Sequence, residues 1–323
     1  MLISHSRRDF LKQSLAAVSG AAVPSLLPAE TKMDPTPLRI IDTHQHLWDR
    51  KQFKLPWIKK GSTLDHDFMM SDYLKATEGL NVVKTIYMEV DLDPSQQQAE
   101  AEYVIGLCEM PDNLMVAAVI SGRPALEGFA KYIKPFKNNA YIMGVRQVLH
   151  NDAAPAGTCL GDQFKKSIQL LGELGMSFDL CMRPTELLDA AKLIDACPDT
   201  RFILDHCGNA QVPDKDRTQW KRDLEAVAKR KQVVCKVSGI VASAKPGQWK
   251  ADDLAPIVNH VLDTFGPDRV IFGGDWPVCT LGATYKEWAE ALKTIVKDRS
   301  REQQEKLFHD NAVRVYELGT KTK

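Results

Sequence analysis

The sequence predicts an α/β fold of a single domain, a (β/α)₈ TIM-like barrel, from three observations. Short apolar segments rich in β-branched residues recur between positions 39 and 276. Segments with apolar residues at three- and four-residue spacing lie between them and indicate amphipathic helices. Eight such strand–helix units would have about 30 residues each, the size of a βα repeat. An open doubly wound sheet is the alternative, but no Gly-x-Gly-x-x-Gly or Walker sequence follows a strand segment.

The elements follow one another in the order that a barrel requires. Nearly continuous apolar runs, as at residues 82–88, are typical of strands buried on both faces. The predicted strands are Arg39–His46, Val82–Val90, Leu114–Ser121, Met143–Leu149, Met176–Met182, Arg201–Gly208, Val233–Gly239 and Arg269–Trp276. The predicted helices are Gln96–Cys108, Gly161–Leu174, Thr185–Cys197, Arg217–Arg230, Ala251–Phe265, Thr284–Lys297 and a last one, Arg301–Leu318, which closes the bottom or packs outside. The barrel is expected over residues 38–320.

The first 32 residues have the pattern of a twin-arginine export signal. Residues 6–12 read Ser-Arg-Arg-Asp-Phe-Leu-Lys, and a weakly apolar stretch rich in Ala and Ser follows. A surface helix is the alternative, but this stretch has no polar face. We therefore interpret residues 1–32 as a signal peptide and expect a periplasmic or extracellular protein.

Composition excludes several classes of protein. With 42 basic and 42 acidic residues the formal net charge is zero, which argues against an electrostatic nucleic-acid binder. No apolar run approaches the roughly 18 residues of a membrane span, so no membrane association is expected after signal removal. The seven cysteines contain no Cys-x-x-Cys pair and indicate neither a disulfide framework nor a structural zinc site.

Three strand segments end in residues suited to chemistry. His44 and His46 are two positions apart, so they point the same way and can bind one metal ion. His206 follows the sixth strand, and Asp275, after two glycines, follows the eighth. Catalytic groups of TIM barrels lie at this end of the strands, so we predict a site there with Asp275 as general base. Asp205 is assigned a structural role, pointing away from the centre of the rim.

Other residues near strand ends are weaker candidates. Glu89, Cys181 and His150 are candidates to face the mouth and contact substrate. A salt bridge at the rim is the alternative for Glu89, and a loop position without substrate contact is the alternative for His150. Trp48, with Trp57 and Trp276, flanks the mouth and is predicted either to stack on a sugar or to support packing. Lys236 is expected to turn into the barrel and pair with a carboxylate, and residues 49–73 are expected to form a lid or pocket wall.

Several motifs together resemble the amidohydrolase-related family (amidohydrolase 2), in the lactonase-like branch of fuconolactonases and 2-pyrone-4,6-dicarboxylate lactonases. They are residues 42–49 (Asp-Thr-His-Gln-His-Leu-Trp-Asp), 55–57, 144–149, 204–208, 235–239, 273–278 and 308–316. The resemblance runs from about residue 38 to residue 318. It implies a distorted barrel of amidohydrolase type whose substrates are sugar lactones or the lactones of aromatic breakdown.

The resemblance also implies roles for individual residues. His44, His46, His206 and Asp275 fall where the family places its metal-binding or water-handling groups, with His206 and Asp275 catalytic. Arg146 falls where relatives hold a substrate carboxylate or ring oxygen. One divalent ion is expected, zinc because the shell is rich in imidazole, with a metal-free reaction as the alternative. The fourth strand has no lysine and the fifth no histidine for a two-metal site.

The function predicted from the sequence is therefore hydrolysis of a lactone ring by water activated by Asp275. One alternative is a metal-dependent non-oxidative decarboxylase, whose sixth strand usually continues His-x-Gly-Gly and whose last motif is commonly Asp-Phe-Pro. Here Gly208 is followed by Asn209, and Asp275 by Trp276. The other alternative is an inactive exported carbohydrate-binding barrel, which would not need a base at Asp275. The expected partner is a small lactone, and the interpretation allows a homodimer.

Overall fold

The computed structural model describes residues 36–319, which form a barrel of eight parallel strands in the order β1 to β8. The strands are β1 Ile40–Gln45, β2 Val82–Met88, β3 Met115–Ser121, β4 Ile142–Val148, β5 Ser177–Cys181, β6 Arg201–Leu204, β7 Val233–Val237 and β8 Val270–Phe272. Gln45 also pairs in parallel with Trp276, just beyond β8, so the sheet is nearly closed. The predicted (β/α)₈ barrel is confirmed.

Helices follow the strands and cover the outside of the barrel. They are α1 Met70–Ala76, α2 Gln97–Glu109, α3 Phe129–Ile133, α4 Asp162–Glu173, α5 Leu187–Ala196, α6 Thr218–Ala228, α7 Ala251–Phe265 and α8 Tyr285–Ile295. The sequence did not predict α1 and α3, because five to seven residues are too few to show a helical period. Among residues 36–319, none of the helices has the length and apolar character needed to cross a membrane.

The C-terminal segment closes one end of the barrel. It consists of α9 Arg301–Glu305, a π-helical turn at Lys306–Asp310 and α10 Asn311–Val315, where a single helix to Leu318 was predicted. Ala312 and Tyr316 join the apolar cluster inside the barrel. Asn311 donates hydrogen bonds to the carbonyls of Pro267 and Val270, at the start of β8. The segment therefore covers the end at which the strands begin, which leaves the other end for chemistry.

Two strands, β6 and β8, end four residues earlier than predicted, and the reason is local backbone geometry. His206, Cys207 and Asn209 have φ of 52°, 55° and 56°, so the chain leaves the extended conformation directly after β6. Asp275 has φ of 56° and ends the continuation of β8 in the same way. The side chains at these points therefore project from turns, which aim them differently from strand residues.

The seven cysteines are all buried, as small apolar residues are expected to be. The predicted signal peptide, residues 1–32, lies outside the described residues.

Candidate active site

A cavity of about 350 Å³ lies at the end of the barrel where the strands finish. Six residues predicted from the sequence line it: His46, Arg146, His150, Cys181, His206 and Asp275. Trp57 lines it as well, which confirms that part of the segment 49–73 forms a pocket wall. Strands β1, β4, β5, β6 and β8 thus bring these distant residues to one place.

The two histidines of β1 and Asp275 form a compact group. Asp275 Oδ1 lies 3.6 Å from His44 Nε2 and 3.4 Å from His46 Nε2. His46 Nδ1 lies 2.9 Å from the carbonyl oxygen of Met88, which accepts only, so Nδ1 carries the proton and Nε2 keeps its lone pair. His44 has no exposed surface, and His46 and Asp275 are almost fully buried.

This group fits a divalent metal ion. Donor atoms on a tetrahedral zinc ion are about 3.4 Å apart, given zinc–nitrogen bonds near 2.0–2.1 Å. The observed separations match that value, and the fixed ring of His46 is typical of a metal ligand whose second nitrogen donates to a carbonyl. Among the described residues, His44, His46 and Asp275 are one group that could hold a metal, and His44, Asp205 and His206 are another. The four predicted ligands thus fall into two groups that share His44.

Asp275 is held by its backbone. Its N–H donates to the carbonyl of His44 at 2.8 Å, and its own carbonyl accepts from the N–H of Cys279 at 2.7 Å. A Cβ added at Gly273 would lie 2.7 Å from Cβ of His44, so only glycine allows this approach. Glycine at position 273 therefore allows β1 to pack closely against the chain that leads to Asp275.

Asp42 supports the same region and was not predicted. Its carboxylate accepts from the backbone N–H groups of His44 and Gly274 at 2.9 and 2.7 Å. The hydroxyls of Tyr73 and Tyr285 also donate to it, at 2.8 and 3.1 Å. Burial raises the pKa of Asp42. The sequence signal that could have identified Asp42 is an acidic residue two positions before His44. The four groups that donate hydrogen bonds to Asp42 come from β1, α1, α8 and the segment after β8.

His206 is fixed from the neighbouring strand. Its Nδ1 lies 2.9 Å from Oγ of Ser238, just beyond β7. The next residue, Gly239, has φ of 66°, and a Cβ there would lie 2.5 Å from Cγ of His206. Sequence analysis missed both positions, although the Ser-Gly pair directly after a strand was visible.

Arg146 and Glu89 form a buried ion pair. Arg146 donates from Nε to Oε1 of Glu89 at 2.7 Å, and from Nη2 to the backbone carbonyl of Glu89 at 2.7 Å. Its Nη1 lies 3.1 Å from His44 Nε2 and 3.3 Å from Asp205 Oδ2. Arg146 reaches the cavity, whereas Glu89 is completely buried behind it. Glu89 therefore does not face the mouth as a substrate ligand; it forms a salt bridge, which was the alternative, because its carboxylate is drawn to the guanidinium.

Asp205 also differs from its prediction. It does not point away from the centre, because Lys236 lies 2.9 Å from its Oδ1 and Arg146 lies 3.3 Å from its Oδ2. Burial raises the pKa of Asp205, but the charge of Lys236 and the interactions with His44 and His206 together outweigh this effect and hold the pKa well below its usual range. Lys236 pairs with Asp179 as well, at 3.0 Å, which confirms that it turns into the barrel towards a carboxylate.

Burial favours the uncharged form of three histidines of the site. Burial lowers the pKa of His44 well below its usual range, and the charge of Lys236 lowers it further. Burial also lowers the pKa of His206, and it lowers that of His150 to about 4. Neutral imidazoles keep a lone pair for a metal ion or a hydrogen-bond donor.

Trp48 does not face the cavity. It has no exposed surface, its Nε1 donates to the carbonyl of His66, and its ring packs edge-on against Trp57 and Phe68. The antiparallel pairing of Trp48 with Phe68 carries its side chain into the core. Trp57, 38% exposed, occupies the wall instead.

Known proteins resemble this chain over most of its length. The family model described as amidohydrolase matches residues 41–318. An L-fucono-1,5-lactonase from Burkholderia multivorans is 26% identical over 293 residues, covering 86% of this chain and 96% of that protein. An L-rhamnono-gamma-lactonase from Scheffersomyces stipitis is 21% identical, covering 87% and 99%. A crystal structure of a Burkholderia multivorans amidohydrolase with bound zinc has a TM-score of 0.76 at 24% identity, covering 87% and 99%.

Proposed function

Since this chain belongs to the amidohydrolase family, we propose that it is a hydrolase that opens a lactone ring with water activated by Asp275. The observation that carries the proposal is the position of Asp275, whose Oδ1 lies within 3.6 Å of both His44 and His46 on the wall of the cavity. A carboxylate held between two imidazoles can accept a proton from water close to a bound ester.

The proposed reaction is an addition followed by a ring cleavage. Asp275 takes a proton from a water molecule while the water oxygen bonds to the lactone carbonyl carbon. The bond between that carbon and the ring oxygen then breaks, and the carboxyl group of Asp275 returns the proton to the ring oxygen. The product is an open-chain hydroxy acid, so one molecule of water is consumed in each turnover.

Arg146 and His206 are assigned to the substrate oxygens. Both line the cavity, and both are fixed from behind, Arg146 by Glu89 and His206 by Ser238. Groups that are already oriented stabilise the negative charge that develops on the carbonyl oxygen without having to reorganise. Arg146 is proposed to anchor the ester, and His206 to stabilise the oxyanion.

We propose zinc as the metal, held by His44, His46 and Asp275. Such an ion would polarise the carbonyl or lower the pKa of a bound water. The donor distances and the zinc in the Burkholderia multivorans structure support this assignment. Zinc at 100 times its dissociation constant should stabilise the protein by about 2.7 kcal/mol in thermal unfolding. His46→Gln should abolish that gain, and His150→Gln, outside the group, should keep it.

A sugar lactone is the proposed substrate class. The names of the Burkholderia multivorans and Scheffersomyces stipitis relatives support it. The cavity of about 350 Å³ is at the small end of ligand pockets, as suits a single ring.

The test is turnover of a panel of lactones, measured by proton release. We expect the wild type to open at least one sugar lactone and Asp275→Asn to lose activity by more than about 10²-fold while remaining folded. Asp93→Asn, which changes a half-buried carboxylate outside the cavity, is the matched control. Near-normal turnover by Asp275→Asn would refute the role of Asp275. Release of CO₂ from a carboxylated aromatic ring, without lactone opening, would favour the decarboxylase instead.

We also propose export through the twin-arginine route, on the basis of residues 6–12. Replacing Arg7 and Arg8 together with lysine should retain the protein in the cytoplasm of a bacterial host. The measurement is cell fractionation followed by immunoblotting, and unchanged export would contradict the proposal.

A further inference from the structure

Asp91 occupies an unusual position on the cavity wall. It follows β2, lines the cavity, and has φ of 47°, a conformation that few residues other than glycine adopt. Its backbone N–H donates to Oε2 of Glu89 at 2.7 Å, the same carboxylate that holds Arg146. The turn at Asp91 is thus locked to the ion pair behind the active site.

The carboxylate of Asp91 is held at both oxygens. Arg123 Nη2 donates to Oδ1 at 3.1 Å, and Asn151 Nδ2 donates to Oδ2 at 2.8 Å. Each carboxylate oxygen has two lone pairs, so both can accept one more hydrogen bond. Arg123 is itself anchored to the Oγ of Ser121 and the carbonyl of Gly122, at 3.0 and 2.9 Å. The result is a rigid acceptor that faces the cavity.

Asn151, which follows β4, is the second member of this wall. Its Oδ1 accepts from the N–H of Ala153 at 3.1 Å, and its backbone carbonyl accepts from Arg183 at 2.7 Å. One N–H of its amide is used by Asp91, and Asn151 also lines the cavity. Asp91 and Asn151 therefore offer acceptors and a donor side by side, the combination that a hydroxyl group requires.

The charges of the cavity disfavour an anionic substrate. Asp91 and Asp275 both line it, and among the described residues of the wall Arg146 is the one lysine or arginine. Nε and Nη2 of that guanidinium already donate hydrogen bonds to Glu89. Its Nη1 lies within hydrogen-bond distance of Asp205 and His44. Arg146 therefore lacks a free pair of donors for a substrate carboxylate, which would instead meet the carboxylate of Asp91.

We propose that Asp91 and Asn151, backed by Arg123, bind substrate hydroxyl groups and select neutral, hydroxylated lactones, an inference that rests on the proposed lactone hydrolysis. Asp91 is assigned to specificity and not to the chemical step. Its effect must therefore depend on whether the substrate carries hydroxyl groups.

The experiment compares Asp91→Asn with the wild type on two neutral lactones of equal ring size. D-glucono-1,5-lactone carries hydroxyl groups, and δ-valerolactone has none. A lost hydrogen bond to a charged group should lower kcat/KM for the gluconolactone by about 10-fold to 100-fold. The value for δ-valerolactone should stay within about threefold. Asn151→Ala should repeat this selectivity while retaining the Asp91–Arg123 pair, and Asp93→Asn should change neither substrate.

Binding of lactams, which resist hydrolysis, separates this inference from the proposed reaction. Titration calorimetry should show that Asp91→Asn weakens binding of D-glucono-δ-lactam about 10-fold or more and leaves δ-valerolactam unchanged. Equal losses on both rings, in turnover or in lactam binding, would assign Asp91 a structural role and overturn the inference. A wild type that opens no lactone would refute the proposed function alone, because the lactam affinities would still decide the role of Asp91.

Discussion

Gly239→Ala tests whether the position of His206 matters for catalysis. Gly239 has φ of 66°, and a Cβ there would lie 2.5 Å from Cγ of His206. Carbon atoms in contact are about 3.5 Å apart, so the ring has to move by about 1 Å. A displacement of that size at a catalytic group costs about 10²-fold in rate. We therefore expect kcat/KM on a sugar lactone to fall by about two orders of magnitude.

Gly247→Ala is a matched control. Gly247 has φ of 67°, but a Cβ there would meet no atom within 4 Å. Both variants place alanine in a left-handed conformation, which costs about 1–2 kcal/mol of stability. Chemical denaturation should show that cost in both, whereas steady-state kinetics should show the large loss only in Gly239→Ala. Equal activity of the two variants would refute the argument that His206 must occupy its observed position.

Two further predictions concern buried charges. Lys236→Met leaves the carboxylates of Asp179 and Asp205 buried without the Lys236 ammonium group. The free energy of unfolding, measured by denaturant titration, should therefore fall by about 3–5 kcal/mol. A loss below about 1 kcal/mol would contradict this prediction. Burial and the nearby charge of Glu89 raise the pKa of Glu100 to about 8, from an ordinary value of 4.5. The folded state therefore holds this proton between about pH 4.5 and 8 while the unfolded state releases it, so stability from this group is lost as pH rises through that window. In thermal unfolding from pH 6 to pH 9, Glu100→Gln should lose less stability than the wild type, and parallel curves would contradict the shift.

The barrel and the centre of the candidate site could be predicted because both depend on local pattern. Nearly continuous apolar runs indicated strands, and apolar residues at three- and four-residue spacing indicated helices. His44, His46 and Asp275 were found as polar residues where apolar strands end. In a parallel barrel those ends meet, so position in the chain was enough to bring them together.

The orientation of the supporting side chains could not be predicted, because it depends on charges from distant strands. Asp205 points inward because Lys236 of β7 and Arg146 of β4 attract it, and Glu89 is buried for the same reason. The left-handed turn at His206 exists only because Gly239, on another loop, leaves room for the ring. No local sequence pattern contains these pairings.

The most direct test of the proposed function follows the oxygen of water into the product. Wild-type protein opening a sugar lactone in H₂¹⁸O should place one ¹⁸O atom in the carboxylate of the hydroxy acid, measured by mass spectrometry after a single turnover. This result requires attack of water on the carbonyl carbon, and Asp275→Asn should form no labelled product above the uncatalysed rate. Two results would contradict hydrolysis by water that Asp275 activates. One is ¹⁸O in the released hydroxyl group, and the other is labelled product formed by Asp275→Asn at the wild-type rate.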